Sequence, residues 1–237
     1  YGLTFGLHTR IDETVKQVIA RIRAGNIYIN RNIVGAVVGV QPFGGEALSG
    51  TGPKAGGPLY IYRLLSTRPK GGPAGIDVSA GLPATMPLPG PTGESNEYHL
   101  LARGTVLCIA RSEAGFRAQL DAVLKTGNRA LFADGGSLRD HLAKVDGTVR
   151  ERIDTIAPAR IDDAEFDAVL FEGDGDALLA LNRKLASRDG PIISVQGLTT
   201  DSLSHGAHYA LEPLLLERAV SINTAAAGGN ATLMTIG

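Results

Sequence analysis

Apolar residues recur along this chain in two rhythms. In the second half, short runs that are almost wholly apolar alternate with stretches of helical spacing. Thr105–Ala110, Ala130–Ala133, Ala168–Phe171, Ile192–Gln196 and Val220–Asn223 read as buried strands, and Arg152–Ile156 as a further one. Between them, Glu113–Lys125 sets Phe116, Leu120, Val123 and Leu124 on one face and is stopped by Gly127-Asn128. Asp174–Ala186 is an expected helix. So is Tyr209–Glu217, with Pro213 as a blemish in its middle, and Ser137–Lys144, opened by a serine cap. Buried strands separated by helices predict an α/β fold, Rossmann-like, with a parallel sheet covered by helices on both faces. The first half is less regular. Leu3–His8 and Ile27–Asn30 read as strands around a helix, Asp12–Ala24, with Val15, Val18, Ile19 and Ile22 on one face and Gly25 as a left-handed stop. A glycine-punctuated loop, 31–58, and a short apolar segment, 59–65, follow.

The strand at 220–223 also echoes the strand at 27–30. Gly25-Asn-Ile-Tyr-Ile-Asn30 aligns with Arg218-Ala-Val-Ser-Ile-Asn223, and each is followed by small residues. The echo suggests that the second half is a degenerate relative of the domain that the first half completes.

Composition sharpens this picture in two places. The chain has 237 residues, and its first 93 hold 17 of the 31 Gly and 9 of the 12 Pro. The densest stretch, 69–93, offers little apolar surface to bury and reads as a linker. The expected division is therefore 1–68, a linker 69–93, a domain 94–224, and a terminal motif 225–237. A piece of 68 residues rich in glycine loops is small for a core of its own. With Tyr1 opening mid-strand, it is expected to be the end of a larger domain. The formal charge of -1 argues against a general phosphate-backbone binder. No run of ~18 apolar residues suggests a spanning helix, and one Cys cannot form an intramolecular disulfide.

Few residues stand out as chemistry. Gly35-Ala36, Gln41-Pro42-Phe43-Gly44-Gly45 and Ser49-Gly50-Thr51-Gly52 form a small-residue loop. Such a loop leaves its backbone N–H groups open to an anion, and it can equally be a plain surface loop. Phe43, between a stiff and a bare residue, could wall an apolar slot. Gly50-x-Gly52-x-x-Ala55 fits the dinucleotide fingerprint only formally, because no strand leads into it and Gly56-Gly57-Pro58 stands where a helix should start. Lys54 has no Walker context. Cys108 lies inside an apolar strand and reads as an inert thiol. His205 and His208, near Asp201, lack a third strong ligand. Asp162-Asp163 and the Glu172–Asp176 run lack calcium-loop spacing and read as solvated helix starts. Asn230-Ala231-Thr232 fits a glycosylation sequon with nothing else pointing to secretion.

At Gln41–Gly52 the string Pro-Phe-Gly-Gly-x-x-x-Ser-Gly-x-Gly, after a strand ending in Asn, resembles the C-terminal part of the aldehyde dehydrogenase superfamily. The fuller string is similar to one branch, the glutamate-semialdehyde dehydrogenase half of the bifunctional proline utilization A flavoenzymes. It runs from Tyr1-Gly-Leu-Thr-Phe-Gly-Leu-His8 through Ile29-Asn-Arg-Asn32 to Gly50-Thr-Gly-Pro-Lys-Ala-Gly-Gly-Pro58. Glu97-Tyr-His-Leu100 with Arg103-Gly104 resembles the opening of that family's extra C-terminal domain, and 221–237 its terminal motif.

The resemblance implies a part of a cytoplasmic bacterial enzyme that converts proline to glutamate, with FAD in one domain and NAD in another. Membrane association would come through the flavin domain. Gly35 and Ala36 match the loop whose N–H groups hold the substrate's carboxylate, and Phe43 the aromatic that packs on the aldehyde chain. The family's catalytic Cys and Glu, its NAD-binding residues and its flavin residues match nothing here. Hence no catalytic, cofactor or metal residue is assigned, and the isolated chain is expected to be inactive. The implied partners are glutamate semialdehyde, the remainder of the same polypeptide and further copies of it, with 94–224 as a non-catalytic domain and 225–237 as a lid over a substrate channel or an assembly motif. The alternative is a stand-alone structural or nucleotide-binding α/β domain.

Overall fold

The computed structural model describes residues 1–66, 82–134, 136 and 138–225. Their contacts divide into two units. The first draws its described residues from 1–77, 84–100 and 217–237, the second from 78–83 and 101–216. This division differs from a contiguous one: both ends of the stretch 94–224 join the first unit.

The first unit is built on a sheet of order β1-β2-β10-β4-β3. Its strands are β1 (Thr4–Leu7), β2 (Asn26–Ile29), β3 (Ala84–Leu88), β4 (Glu94–Ala102) and β10 (Leu215–Asn223). Both β1 and β10 run parallel to β2, whereas β3 is antiparallel to β4. The single helix crossing between β1 and β2 is α1 (Asp12–Arg21). Val15, Ile19 and Ile22 pack it on Ile27, Ile29 and Val220, and Asp12 with Glu13 in its first turn suits the dipole. The helix ends earlier than expected. Ile22 is already extended, and Gly25 is not left-handed. Gly25 serves close approach instead, since a Cβ there would meet the Gly44 carbonyl at 2.0 Å.

The second unit carries a five-stranded sheet of order β7-β6-β5-β8-β9, parallel throughout. The strands are β5 (Thr105–Ile109), β6 (Arg129–Ala133), β7 (Ile153–Ile156), β8 (Ala168–Glu172) and β9 (Ser194–Leu198). The order begins in the middle, steps outward twice and then reverses, which is the doubly wound pattern. Helix α2 (Glu113–Lys125) follows β5, and α5 (Gly175–Ala186) follows β8. Short helices α3 (Arg139–Leu142), α4 (Gly147–Arg150) and α6 (Thr200–Ser204) complete the order. The apolar runs need no alternation because both faces are covered. Val106 and Cys108 pack with Phe116 and Val123 on one side, and Leu107 and Val169 pack with Leu185 on the other. The parallel, helix-covered α/β fold is as expected.

Several local expectations fail. Tyr209–Glu217 is not a helix: a 3-10 turn at Glu212–Leu214 leads straight into β10. Pro213 suits the start of such a turn, and Leu215 and Leu216 of the expected helix belong to β10. Strands β3 and β4 were not anticipated, and β3 lies within the segment read as a linker, of which 69–81 falls outside the described residues. Helix α3 starts after Leu138 without a side-chain cap, and Ser137 is outside the described residues.

Candidate functional site

The small-residue loop belongs to the first unit, and the sequence around it explains its placement. At the end of β2, Asn30 takes a positive φ of 56° and locks the end of β1. Its Oδ1 accepts from Thr9 N at 2.8 Å, and its Nδ2 donates to Thr9 O at 2.8 Å. The chain then leaves the sheet. Gly35 has φ +76°, a conformation that side chains rarely adopt, yet a Cβ there would meet nothing within 4 Å. Glycine is therefore required here by backbone geometry and not by crowding. Among the described residues, no protein acceptor engages the N–H of Gly35 or of Ala36. The next N–H, that of Val37, is taken by Gln41 Oε1 at 2.9 Å.

The second half of the loop is held from below. Phe43 N donates to Ala55 O at 3.0 Å, and Ala55 N returns a bond to Phe43 O at 2.8 Å. This short pairing leaves the Phe43 ring 36% exposed. Lys54 is buried at 2% exposure, and its ammonium donates to Asn26 Oδ1 at 3.0 Å and to the Gly44 carbonyl. Burial pulls its pKa from 10.5 down to about 8, against the opposing pull of the Glu217 and Glu46 carboxylates, while Arg218 adds to the lowering. Glu217 accepts from Lys54 N at 2.7 Å and from the Tyr98 hydroxyl at 2.5 Å. Burial and the Glu217 charge push the Tyr98 phenol far up. Glu46 pairs with Arg218 at 2.9 Å. The sequence offered no signal for Glu217 and Arg218 as supports, since their partners lie more than a hundred residues away along the chain.

The other candidates resolve separately. Cys108 is fully buried, its thiol pushed up by desolvation, and it sits on β5 of the second unit. His205 turns its Nδ1 to the Asp201 carbonyl at 2.8 Å. Asp174 caps α5 through Ala177 N, as a helix start should. Glu172, however, is not solvated: it is buried completely. Its carboxylate accepts from Arg111 N at 2.6 Å, Ser112 N at 3.0 Å and Ser112 Oγ at 2.7 Å. Burial raises its pKa, but these bonds and one from Thr200 outweigh that and hold it low. Asp162-Asp163 closes a 3-10 turn, Pro158–Asp163, instead of opening a helix. Asn230-Ala231-Thr232 lies outside the described residues.

Residues 1–68 match the aldehyde dehydrogenase family model. Beyond that point the relatives decide. Bifunctional protein PutA of Escherichia coli is 46% identical over 100% of this chain and 21% of that protein. The PutA of Rhizobium meliloti is 44% identical over 100% of the chain and 22% of its own length. The chain is a PutA-like segment. It spans about a fifth of the length of the curated relatives it matches. The 1-pyrroline-5-carboxylate dehydrogenase of Bacillus subtilis is 48% identical over 68 residues, 29% of this chain and 13% of that protein. The solved PutA from Corynebacterium freiburgense overlays 95% of the PutA-like chain and 23% of its own with TM-score 0.58 at 22% identity, a likeness of fold. The small-residue loop thus lies in the family-matched part with β1 and β2, whereas β3, β4 and β10, in the same sheet as those strands, lie outside it.

Proposed function

We propose that this chain is part of a PutA-type enzyme that oxidises proline to glutamate, and that it holds the carboxylate end of glutamate semialdehyde. The observation that carries this reading is the pair of N–H groups on Gly35 and Ala36, open to solvent in a loop fixed at both ends. Two such donors on a carboxylate give charge-assisted hydrogen bonds and orient the aldehyde end for attack. Phe43, exposed nearby in sequence on the same loop, packs on the aliphatic part of the substrate.

In such an enzyme a thiolate attacks the aldehyde and water releases the acid, while NAD supplies the hydride acceptor and FAD serves the proline step. Neither the nucleophile nor the cofactor contacts have a counterpart among this chain's residues, so its share is orientation. The complete burial of Cys108 supports reading it as an inert thiol and not as that nucleophile. The setting is cytoplasmic, and no helix among the described residues is long and apolar enough to cross a membrane. The PutA-type polypeptide works as a homo-oligomer. The second unit serves structure, and residues 225–237 a lid or assembly role.

The test uses the PutA-type polypeptide carrying this sequence. Gly35→Asp adds a like charge at the anchor, and Gly35→Asn imposes the same backbone strain without it. Loss of a charged hydrogen bond is worth about 1.5–3 kcal/mol, or roughly ten- to hundredfold in KM. The Asp variant should raise KM for glutamate semialdehyde by that factor over the Asn variant. Equal KM values for the two would overturn the anchor.

The doubly wound order of the second sheet favours one other reading, a nucleotide site at its switch point between β5 and β8. The Glu172 carboxylate already sits on the N–H groups of Arg111 and Ser112, which lead into α2 and lie where a phosphate would approach. Calorimetric titration with NAD of the polypeptide with its dehydrogenase site blocked should give no heat; saturable binding would revive the nucleotide reading.

A further inference from the structure

Both ends of the anchor loop meet one carboxylate. Arg31, just before the loop, donates from Nη1 to Glu94 Oε2 at 2.7 Å. Gln41, just after it, donates from Nε2 to Glu94 Oε1 at 2.7 Å. The same Gln41 amide also donates to Asn96 Oδ1 at 3.1 Å, which in turn accepts from Ser221 Oγ at 2.6 Å. Gln41, Asn96 and Ser221 are buried, and the Arg31 and Glu94 side chains are 14% and 13% exposed. Gln41 Oε1 reaches back into the loop to hold Val37 N, the neighbour of the two open N–H groups. Glu94 and Asn96 lie on β4 and Ser221 on β10, all beyond the residues that match the aldehyde dehydrogenase family.

We infer that Glu94 is a positioning residue for substrate binding. Through Arg31 and Gln41 it closes the base of the loop 32–40 and sets the direction of the Gly35 and Ala36 N–H groups. The inference rests on the anchor reading above. A bidentate partner is needed because the loop carries Gly35 and Gly39, both at positive φ, and little in the loop itself fixes its path. A carboxylate serves here where an amide would not. Each oxygen must accept, one from a guanidinium and one from an amide N–H, and an amide side chain offers only one acceptor. The Arg31 charge offsets that of Glu94, so the clamp does not repel an anionic substrate.

The experiment compares Glu94→Ala, Glu94→Gln and Gln41→Met in the PutA-type polypeptide carrying this sequence. Two aldehydes are used: glutamate semialdehyde and propanal, which has no carboxylate. Both Glu94→Ala and Gln41→Met should raise KM for glutamate semialdehyde about tenfold, with kcat at saturation nearly unchanged. For propanal, kcat/KM should stay within about twofold. Glu94→Gln, with one acceptor left, should fall between the wild type and Glu94→Ala. If Glu94→Ala lowers the melting temperature, Gln41→Met, which keeps side-chain volume and leaves the Arg31 pair intact, carries the comparison. An unchanged KM for the semialdehyde, or equal losses for both aldehydes, would overturn the inference. If Gly35→Asp raises KM over Gly35→Asn while the clamp variants are silent, the anchor stands and only the positioning role falls.

Discussion

Lys54 shows how far a single side chain can depend on distant ones. Its ammonium donates to two neutral oxygens, the Gly44 carbonyl and the Asn26 amide oxygen. Burial makes the charged form expensive, hence a pKa of about 8 against 10.5 in the unfolded chain. Below about pH 8 both states carry the proton, and the penalty of burying it is present in full. As pH rises from about 8 toward 10.5, the unfolded chain holds a proton that the native one has lost, so this group's contribution to stability improves. Between about pH 7 and pH 10 the improvement is ~2 kcal/mol. Chemical denaturation at these two values should show wild type gaining that much more than Lys54→Met, and identical pH dependence would refute the shift. Glu172 works in the opposite sense. Its carboxylate satisfies two backbone N–H groups and a hydroxyl, and a Cβ on Gly115 would meet its Oε2 at 1.9 Å. Glu172→Ala strands those donors and should destabilise the second unit by about 3 kcal/mol, measured by urea unfolding. Neither residue announced itself in the sequence: Lys54 looked like a loop lysine and Glu172 like part of an acidic surface run.

At the scale of elements, the echo between 25–30 and 218–223 has a structural counterpart. Strands β2 and β10 lie side by side and parallel. Ala219 stands opposite Asn26 and Ile222 opposite Ile29, each pair 193 residues apart, which is the offset of the echo. Adjacent parallel strands in the middle of one sheet face the same surroundings on both sides, so similar residues suit both. The echo therefore records shared environment within one sheet, whatever its ancestry. Elements whose signals are local were legible: β5, α2, β8 and α5 fall within about two residues of their expected bounds. Elements defined by partners were not. Strand β3 carries Pro87 and sits in a Gly/Pro-rich segment, yet Met86 pairs with Tyr98 across β4. Nothing within five residues could have shown that.

For the whole molecule, the sheet of the first unit joins three stretches of chain. The family-matched 1–68 supplies only β1 and β2, and β10 and β4 continue the sheet beyond them. Ile27 and Ile29 are buried partly by Val220, and the Lys54 backbone N–H and the Glu46 and Gln41 side chains find partners on β4 and β10. Expressed without the rest, residues 1–68 should therefore lack a stable sheet. Circular dichroism should show largely unfolded chain, and addition of the remaining polypeptide should restore protection from proteolysis. A cooperative unfolding transition of 1–68 alone would contradict this.

The sequence by itself determined the class of fold, the alternation of buried strands and amphipathic helices, and the small-residue loop with its family resemblance. These rest on short-range physics: periodicity, turn residues and backbone freedom at glycine. The tertiary structure decided which residues support that loop. Glu94, Asn96, Glu217, Arg218 and Ser221 act only because the sheet order brings β10 beside β2 and β4 beside β10, and strand order is set by burial across the whole fold, which no local pattern encodes.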